Sequence, residues 1–217
     1  MLENTPVKIA KSNWLTLLLL PAAALLLAGC FNWQYDVTVK GVAFSQVRME
    51  GADLVIGQLK EDTLIGGRPC KQGWVHLRGN GVPVGFTAAR EIDLGRFKIP
   101  AETWVSQNKD GVVTVCAFPR DTAVQGHLCR GGWGGSEGVQ AAFYPDGALK
   151  QYFLRHATCI QDIPCQAGLG NESIELHENG RLKACVLNEN LTRDGRTYPK
   201  GTRIRFDSDG RIIPSRN

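Results

Sequence analysis

Beyond residue 30, apolar and polar residues alternate with a period of two in one segment after another. Val75-His76-Leu77, Ile174-Glu175-Leu176 and Ile204-Arg205-Phe206 each alternate, and Leu54-Val55-Ile56, Val112-Val113-Thr114-Val115 and Leu182-Lys183-Ala184-Cys185-Val186 are short runs of strand-forming residues. Period-two alternation puts one class of side chain on each side of a pleated strand, as in an antiparallel sheet with one face buried. No window beyond residue 30 carries the 3.6-residue period of an amphipathic helix. The pattern predicts an all-β fold.

The segments are punctuated at a regular spacing. Turn-forming pairs recur at Glu50-Gly51, Asn80-Gly81, Asp110-Gly111, Asp146-Gly147, Asn179-Gly180 and Asp209-Gly210, with intervals of 30, 30, 36, 33 and 30 residues between the glycines. Asn-Gly and Asp-Gly suit two-residue hairpin turns in which both central residues take positive φ. Glu50 is the weakest member of the set. A second marker runs in phase. The fifth residue after each glycine is Ile56, Phe86, Cys116, Tyr152 or Cys185, and the eighteenth is Pro69, Ile99, Cys129, Cys165 or Tyr198. Two markers on one period predict six repeated antiparallel units, arranged as a meander, a roll or a solenoid-like sheet. The competing reading is a β-sandwich whose turns happen to share this spacing.

The N-terminus has a different texture. Lys8 and Lys11 precede an apolar run from Trp14 to Leu27, which ends in Leu27-Ala28-Gly29-Cys30. At about 14 residues the run is shorter than the roughly 20 needed to span a bilayer. These residues resemble the lipobox of bacterial lipoproteins. That resemblance implies removal of residues 1–29 as a signal peptide, a thioether-linked diacylglycerol on Cys30, and further acylation of the new N-terminus. The competing reading is an uncleaved anchor helix. Residues 30–44 are then expected to form the lipidated N-terminus and a tether, and residues 45–217 the repeat domain. Phe31 stands where the inner-membrane retention signal of such lipoproteins has Asp, which implies the outer membrane, in a periplasm-facing or surface-exposed position.

Two stretches, Phe143-Tyr144-Pro145-Asp146-Gly147-Ala148-Leu149-Lys150 and Leu176-His177-Glu178-Asn179-Gly180-Arg181-Leu182-Lys183, share an apolar strand followed by Asp/Asn-Gly-x-Leu-Lys. They resemble MORN-like repeats of bacterial proteins, which implies stacked β-hairpins and brings no catalytic residue with it.

Charge and cysteine usage narrow the functional classes. Without residues 1–29 the chain keeps 23 basic and 20 acidic side chains, a balance with no clustered basic footprint for nucleic acid. Six cysteines remain besides Cys30: Cys70, Cys116, Cys129, Cys159, Cys165 and Cys185. An even number in an exported chain predicts disulfides. Because the two marker positions look like mutual neighbours, Cys116 to Cys129 is the favoured bridge and Cys165 to Cys185 the next. Structural zinc would call for paired C-x2-C spacing, which is missing, so no metal and no cofactor is expected.

Catalytic chemistry finds little support in the sequence. There is no Gly-x-Ser-x-Gly elbow, and His76, His127, His156 and His177 share no repeat position. Asp110, Asp146 and Asp209 are explained first as turn formers. Trp133, flanked by glycines in Gly131-Gly132-Trp133-Gly134-Gly135, is the one candidate ligand contact, able to stack on a sugar or an acyl chain. The expected function is a non-enzymatic binding or structural role in the cell envelope, with an envelope protein or glycan as partner and the bilayer held through Cys30. An envelope hydrolase with a cleft formed across units is the alternative.

Overall fold

The computed structural model describes residues 32–51, 53–132 and 138–213. It is all-β, and no helix occurs among the described residues. A leading hairpin, β1 (Gln34–Val39) and β2 (Val42–Glu50), precedes five units. These comprise β3 (Leu54–Leu59), β4 (Thr63–Ile65) and β5 (Arg68–Arg78); β6 (Pro83–Ala88), β7 (Ile92–Asp93), β8 (Lys98–Ile99) and β9 (Trp104–Gln107); β10 (Val113–Ala117), β11 (Thr122–Val124), β12 (His127–Cys129) and β13 (Gln140–Phe143); β14 (Leu149–Tyr152), β15 (Thr158–Ile160), β16 (Ile163–Cys165) and β17 (Ile174–Leu176); and β18 (Leu182–Val186), β19 (Leu191–Arg193), β20 (Arg196–Tyr198) and β21 (Arg203–Arg205).

Each unit sends one long strand up, makes a small hairpin, and returns with a second long strand. The long strands join a 13-stranded antiparallel meander in the order β1-β2-β3-β5-β6-β9-β10-β13-β14-β17-β18-β21, with β4 on β5. The small hairpins β7–β8, β11–β12, β15–β16 and β19–β20 form separate two-stranded sheets. They lie over the inner face of the meander. Phe97, between β7 and β8, stacks on Phe143 with ring centroids 4.5 Å apart. The Gln125 side chain at the β11–β12 tip donates to the Gly147 carbonyl at 2.7 Å and accepts from the Leu149 N–H at 2.9 Å. Gln161, at the β15–β16 tip, clamps Gly180 and Leu182 in the same way.

The hydrophobic core fills the space between these layers. Val75 pairs with Phe86, Phe86 with Val105, Val105 with Cys116 and Cys116 with Ala141, and further along Tyr152 pairs with Ile174 and Cys185 with Ile204. All are buried. The first marker of the repeat is thus one row of inward-facing side chains, and the second, at Ile99, Cys129 and Cys165, is buried above it on the small hairpins. Burying a side chain of Phe or Leu size stabilises by roughly 1.5–3 kcal/mol, so this row contributes much of the folding free energy.

Three expectations need correction. The stretch 30–44 is not all tether, because β1 begins at Gln34. The first unit is out of phase by one residue: Gly57 occupies the inner row between Val47 and Val75, and Ile56 points outward. Phe44 fills the space, since a Cβ on Gly57 would come within 2.5 Å of its ring.

The third correction concerns the turns themselves. At the repeat markers the turn is three residues long, not two. Tyr144 N–H donates to the Ala148 carbonyl at 2.8 Å and Gly147 N–H to the Tyr144 carbonyl at 2.9 Å, and the same pair of bonds recurs at 78–82, 108–112, 177–181 and 207–211. Only the glycine takes positive φ, +83° at Gly147 and +78° at Gly180. This is a type I turn followed by a left-handed glycine with a bulge. Asp146 is selected because its carboxylate accepts the Ala148 N–H, and Asn179 does the same for Arg181. The two-residue turns sit at the small-hairpin tips instead, where both central residues take positive φ, as in Gln125-Gly126, Gln161-Asp162 and Asp194-Gly195.

Candidate functional site

The inner face of the meander is covered by hairpins. The outer face carries two adjacent lateral rows of side chains. One row runs through Arg48, Ile56, His76, Gly85, Ser106, Val115 and Ala142, and, further along, through Gln151, Glu175, Ala184 and Arg205. The other holds Tyr35, Gln46, Gln58 and Trp74, and then Thr87 and Trp104.

Aromatic groups concentrate at the N-terminal end of this face. Trp33 meets Trp74 edge-to-face with centroids 5.7 Å apart, and the Arg48 guanidinium lies 4.9 Å over the Trp33 ring. Such contacts hold rings in preferred geometries while leaving area exposed. Trp74 remains 42% exposed and Tyr35 65%. Across β6, His76 meets Trp104 edge-on at 5.6 Å. Gly85 permits that approach, because a Cβ there would lie 2.9 Å from the Trp104 ring. Amides fill the gaps, with Gln46 Nε2 donating to Gln58 Oε1 at 3.0 Å.

At the C-terminal end the same face is small, polar and charged. Ala142 and Gln151 stand between Thr114, which donates to the Ser106 carbonyl at 3.3 Å, and Glu175, which is paired with Arg203 and lies 3.7 Å from Lys183, and Ala184 follows on the next strand.

The interior of that half holds four of the five buried thiols and a Tyr–His pair. The Tyr152 hydroxyl is 2.7 Å from His127 Nδ1. Burial lowers the His127 pKa, while burial and the nearby Cys129, Cys165 and Cys185 hold the phenol protonated. The pair satisfy each other within the core. Burial pushes the Cys129 thiol up to about 12 and that of Cys70 also to about 12. Burial raises Cys116 too, and Cys129 is close enough to raise it further. The Cys165 thiol is raised by its hydrogen bond with Cys185 and by burial.

The structure therefore brings together both pairs expected from the repeat, Cys116 with Cys129 and Cys165 with Cys185. It does not bear out the bonds themselves: Cys70, Cys116, Cys129, Cys159, Cys165 and Cys185 are free thiols. Nor can all six pair within one chain. The exposed Cys159 lies opposite Pro164 in its hairpin, and Cys70 sits three units away, its thiol turned to the Arg68 carbonyl at 3.5 Å. Three units of two long strands at about 4.8 Å per strand put them on the order of 25–30 Å apart, whereas a bridge needs Cα atoms within about 7 Å.

Cys30 and Trp133 lie outside the described residues, as does the segment 1–29 expected to be a signal peptide. No metal-binding group of three or more ligands occurs among the described residues. A surface depression of about 250 Å³ contains both Glu175 and His177, but Glu175 is engaged by Arg203 and Lys183, and His177 Nε2 lies 3.0 Å from the Phe206 carbonyl. Another, of about 270 Å³, is lined by Asp62 and Cys70, but the carboxylate accepts the Gln72 N–H at 2.8 Å and the buried thiol, kept protonated by burial, turns to the Arg68 carbonyl. Neither assembles a nucleophile with a base.

Sequence reasoning missed Trp33, Trp74 and Trp104. The signal was present in the alternation: Trp74-Val75-His76 and Trp104-Val105-Ser106 each place a buried valine between outward positions. Comparison with family models, with curated proteins and with solved structures gave no significant match.

Proposed function

We propose that the chain is a cell-envelope lipoprotein with a non-enzymatic binding role, anchored through acylated Cys30 at the outer membrane and presenting the outer face of its meander to an envelope protein or glycan. The observation that carries this reading is that face, where aromatic and amide side chains starting three residues after Cys30 give way to small, polar and charged ones along the sheet. Rings with exposed edges and faces, interleaved with hydrogen-bonding groups, suit the recognition of protein or sugar surfaces. Glu175, His177 and Asp62, the acid–base candidates of the depressions, are each held by a structural partner, which favours binding over hydrolysis. The likeness to MORN-like repeats supports the same reading, as a scaffold of stacked hairpins without a catalytic residue.

Export to an oxidising compartment would close the two facing thiol pairs. Each pair loses two protons and passes two electrons to a disulfide of the compartment's oxidising machinery by thiol–disulfide exchange. Mass spectrometry of the exported protein under non-reducing conditions is expected to show Cys116 bonded to Cys129 and Cys165 to Cys185, with Cys70 free.

The test of the binding role is site-specific photo-crosslinking in intact cells. A photoreactive residue at Ser106 or Gln151, on the outer face, is expected to give a discrete adduct. The same residue at Arg193, on a small-hairpin tip, is expected to give none. Adducts confined to Arg193, or absent from all three positions, contradict the reading.

A further inference from the structure

We infer that the corner of the outer face formed by Trp33, Tyr35 and Trp74 docks on the lipid headgroup layer, so that the anchor and these rings together hold the sheet in one orientation at the membrane. The inference rests on the reading that Cys30 is acylated.

Three observations lead to it. The first is reach. Trp33 is three residues from Cys30, and three residues span at most about 10 Å even when fully extended. A sheet whose first strand starts at Gln34 therefore cannot stand clear of a bilayer that holds Cys30.

The second is chemistry. Trp and Tyr favour the boundary between hydrocarbon and water, where the ring is buried and the N–H or O–H stays wet. At this corner Tyr35 and Trp74 are both exposed large hydrophobic side chains. Arg48, over the Trp33 ring, places a guanidinium where it can meet a lipid phosphate. Its other recorded charge contact is with Glu50 at 3.7 Å, a separation a phosphate can compete with. Lys60, just after β3 and paired with Asp36 at 2.9 Å, and Arg78, at the end of β5 and paired with Asp53 at 3.0 Å, add cations nearby.

The third is the asymmetry of the two sheet edges. The far edge is covered by its own chain: Phe206 bridges to Ile212, and Ile213 N–H donates to the Arg205 carbonyl at 2.9 Å. At the near edge β1 pairs only with β2 among the described residues. An unprotected edge invites pairing with other chains. Seating β1 against headgroups covers it with phosphates and water. The right-handed twist that accumulates along a sheet then carries the rest of the outer face away from the bilayer, where a partner can reach it.

The test uses the full-length lipoprotein purified in detergent and reconstituted into vesicles of phosphatidylethanolamine and phosphatidylglycerol, with and without brominated acyl chains. Bromine quenches tryptophan emission only at close range. Wild-type emission is expected to fall in brominated vesicles, with most of that loss abolished in Trp33→Phe/Trp74→Phe and retained in Trp104→Phe. Equal fractional quenching in all three proteins overturns the inference. So does a change in emission on adding soluble peptidoglycan fragments with none on adding brominated lipid, which would make this corner a glycan site. Vesicle flotation and the mass of the N-terminal peptide read the anchor separately. An acylated, floating protein without Trp33 and Trp74 quenching sinks this inference alone, whereas an unmodified Cys30 sinks the anchor reading and this inference with it. Circular dichroism melts of the variants check that phenylalanine leaves the fold intact.

Discussion

The two halves of the molecule share one backbone and differ in what they set on either side of it: the first carries Trp33, Trp74 and Trp104 on the outer face, and the second holds four of the five buried thiols inside. From β1 to β9 the interior is hydrocarbon apart from the single buried thiol of Cys70, with Phe44, Val75, Phe86 and Ile99, and the outer face carries Trp33, Tyr35, Trp74, His76 and Trp104. From β10 onward the interior takes Cys116, Cys129, Tyr152, Cys165, Cys185 and His127, while the outer face shrinks to Ala142, Gln151, Glu175 and Ala184. Phe86 and Ile99 hold the places in the second unit that Cys116 and Cys129 hold in the third. The repeat is therefore a frame of turns and backbone pairing, tolerant of what fills it. The outer-face tryptophans gather at one end of that frame, the end nearest Cys30 in the sequence.

The comparison can be broken first at the filler. Phe86→Ala removes a buried ring from the tightly packed hydrocarbon half and is expected to cost about 3–5 kcal/mol. Cys116→Ala removes one sulfur from the equivalent place and is expected to cost about 1 kcal/mol under reducing conditions. Denaturant titration of both variants reads the difference, and equal losses would mean that the two places are not equivalent.

The frame comes next. Valine at Gly147 or Gly180 forces a β-branched residue to positive φ and should cost on the order of 1–3 kcal/mol. Gly170, although it lies between the repeat turns, would not serve as a neutral control, because its own φ is +92°. Alanine at Asp146 is the gentler probe: it keeps the backbone but removes the acceptor for Ala148 N–H, for a loss of about 0.5–1.5 kcal/mol. Thermal melts order these variants.

Proton linkage sharpens the contrast between the interiors. In the reduced protein the buried thiols keep their protons to higher pH than the unfolded chain does, so the folded state binds more protons above about pH 8.5–9. Stability is then full below that range and falls as pH rises toward the folded value, about 12 for Cys129. Each such thiol contributes a slope of up to about 1.4 kcal/mol per pH unit. Closing the Cys116–Cys129 and Cys165–Cys185 bonds should remove most of this alkaline slope, measured as the denaturant midpoint with and without reductant.

The smallest effect concerns Tyr152 and His127. Tyr152→Phe removes the hydroxyl beside His127 Nδ1 and is expected to cost about 1 kcal/mol. The His127 pKa is depressed by burial, so its contribution is complete above the unfolded value near 6.5 and is lost as pH falls below it. A melting temperature that does not fall between pH 7 and 5 in the wild type would contradict this.

The strands and their period are legible in the letters because alternation and glycine spacing report directly on backbone geometry. Turn type is not. Asp146-Gly147 closes a three-residue loop and Asp194-Gly195 a two-residue one, and the choice is made by which N–H and C=O pair across the hairpin. The thiol pairs were readable, since the marker positions that predicted them face each other in the core. The outer aromatic face was not singled out, because a tryptophan beside a valine looks equally suited to a core until the register shows which of the two points inward.

The account turns on the anchor, and Cys30→Ser tests it most directly. Labelled-palmitate incorporation and detergent partitioning of the expressed chain are expected to drop to background in this variant, while the wild type takes label and enters the detergent phase. A Cys30→Ser protein that still takes label and partitions with detergent would contradict the assignment of this chain to the membrane through Cys30, and with it the orientation of the outer face.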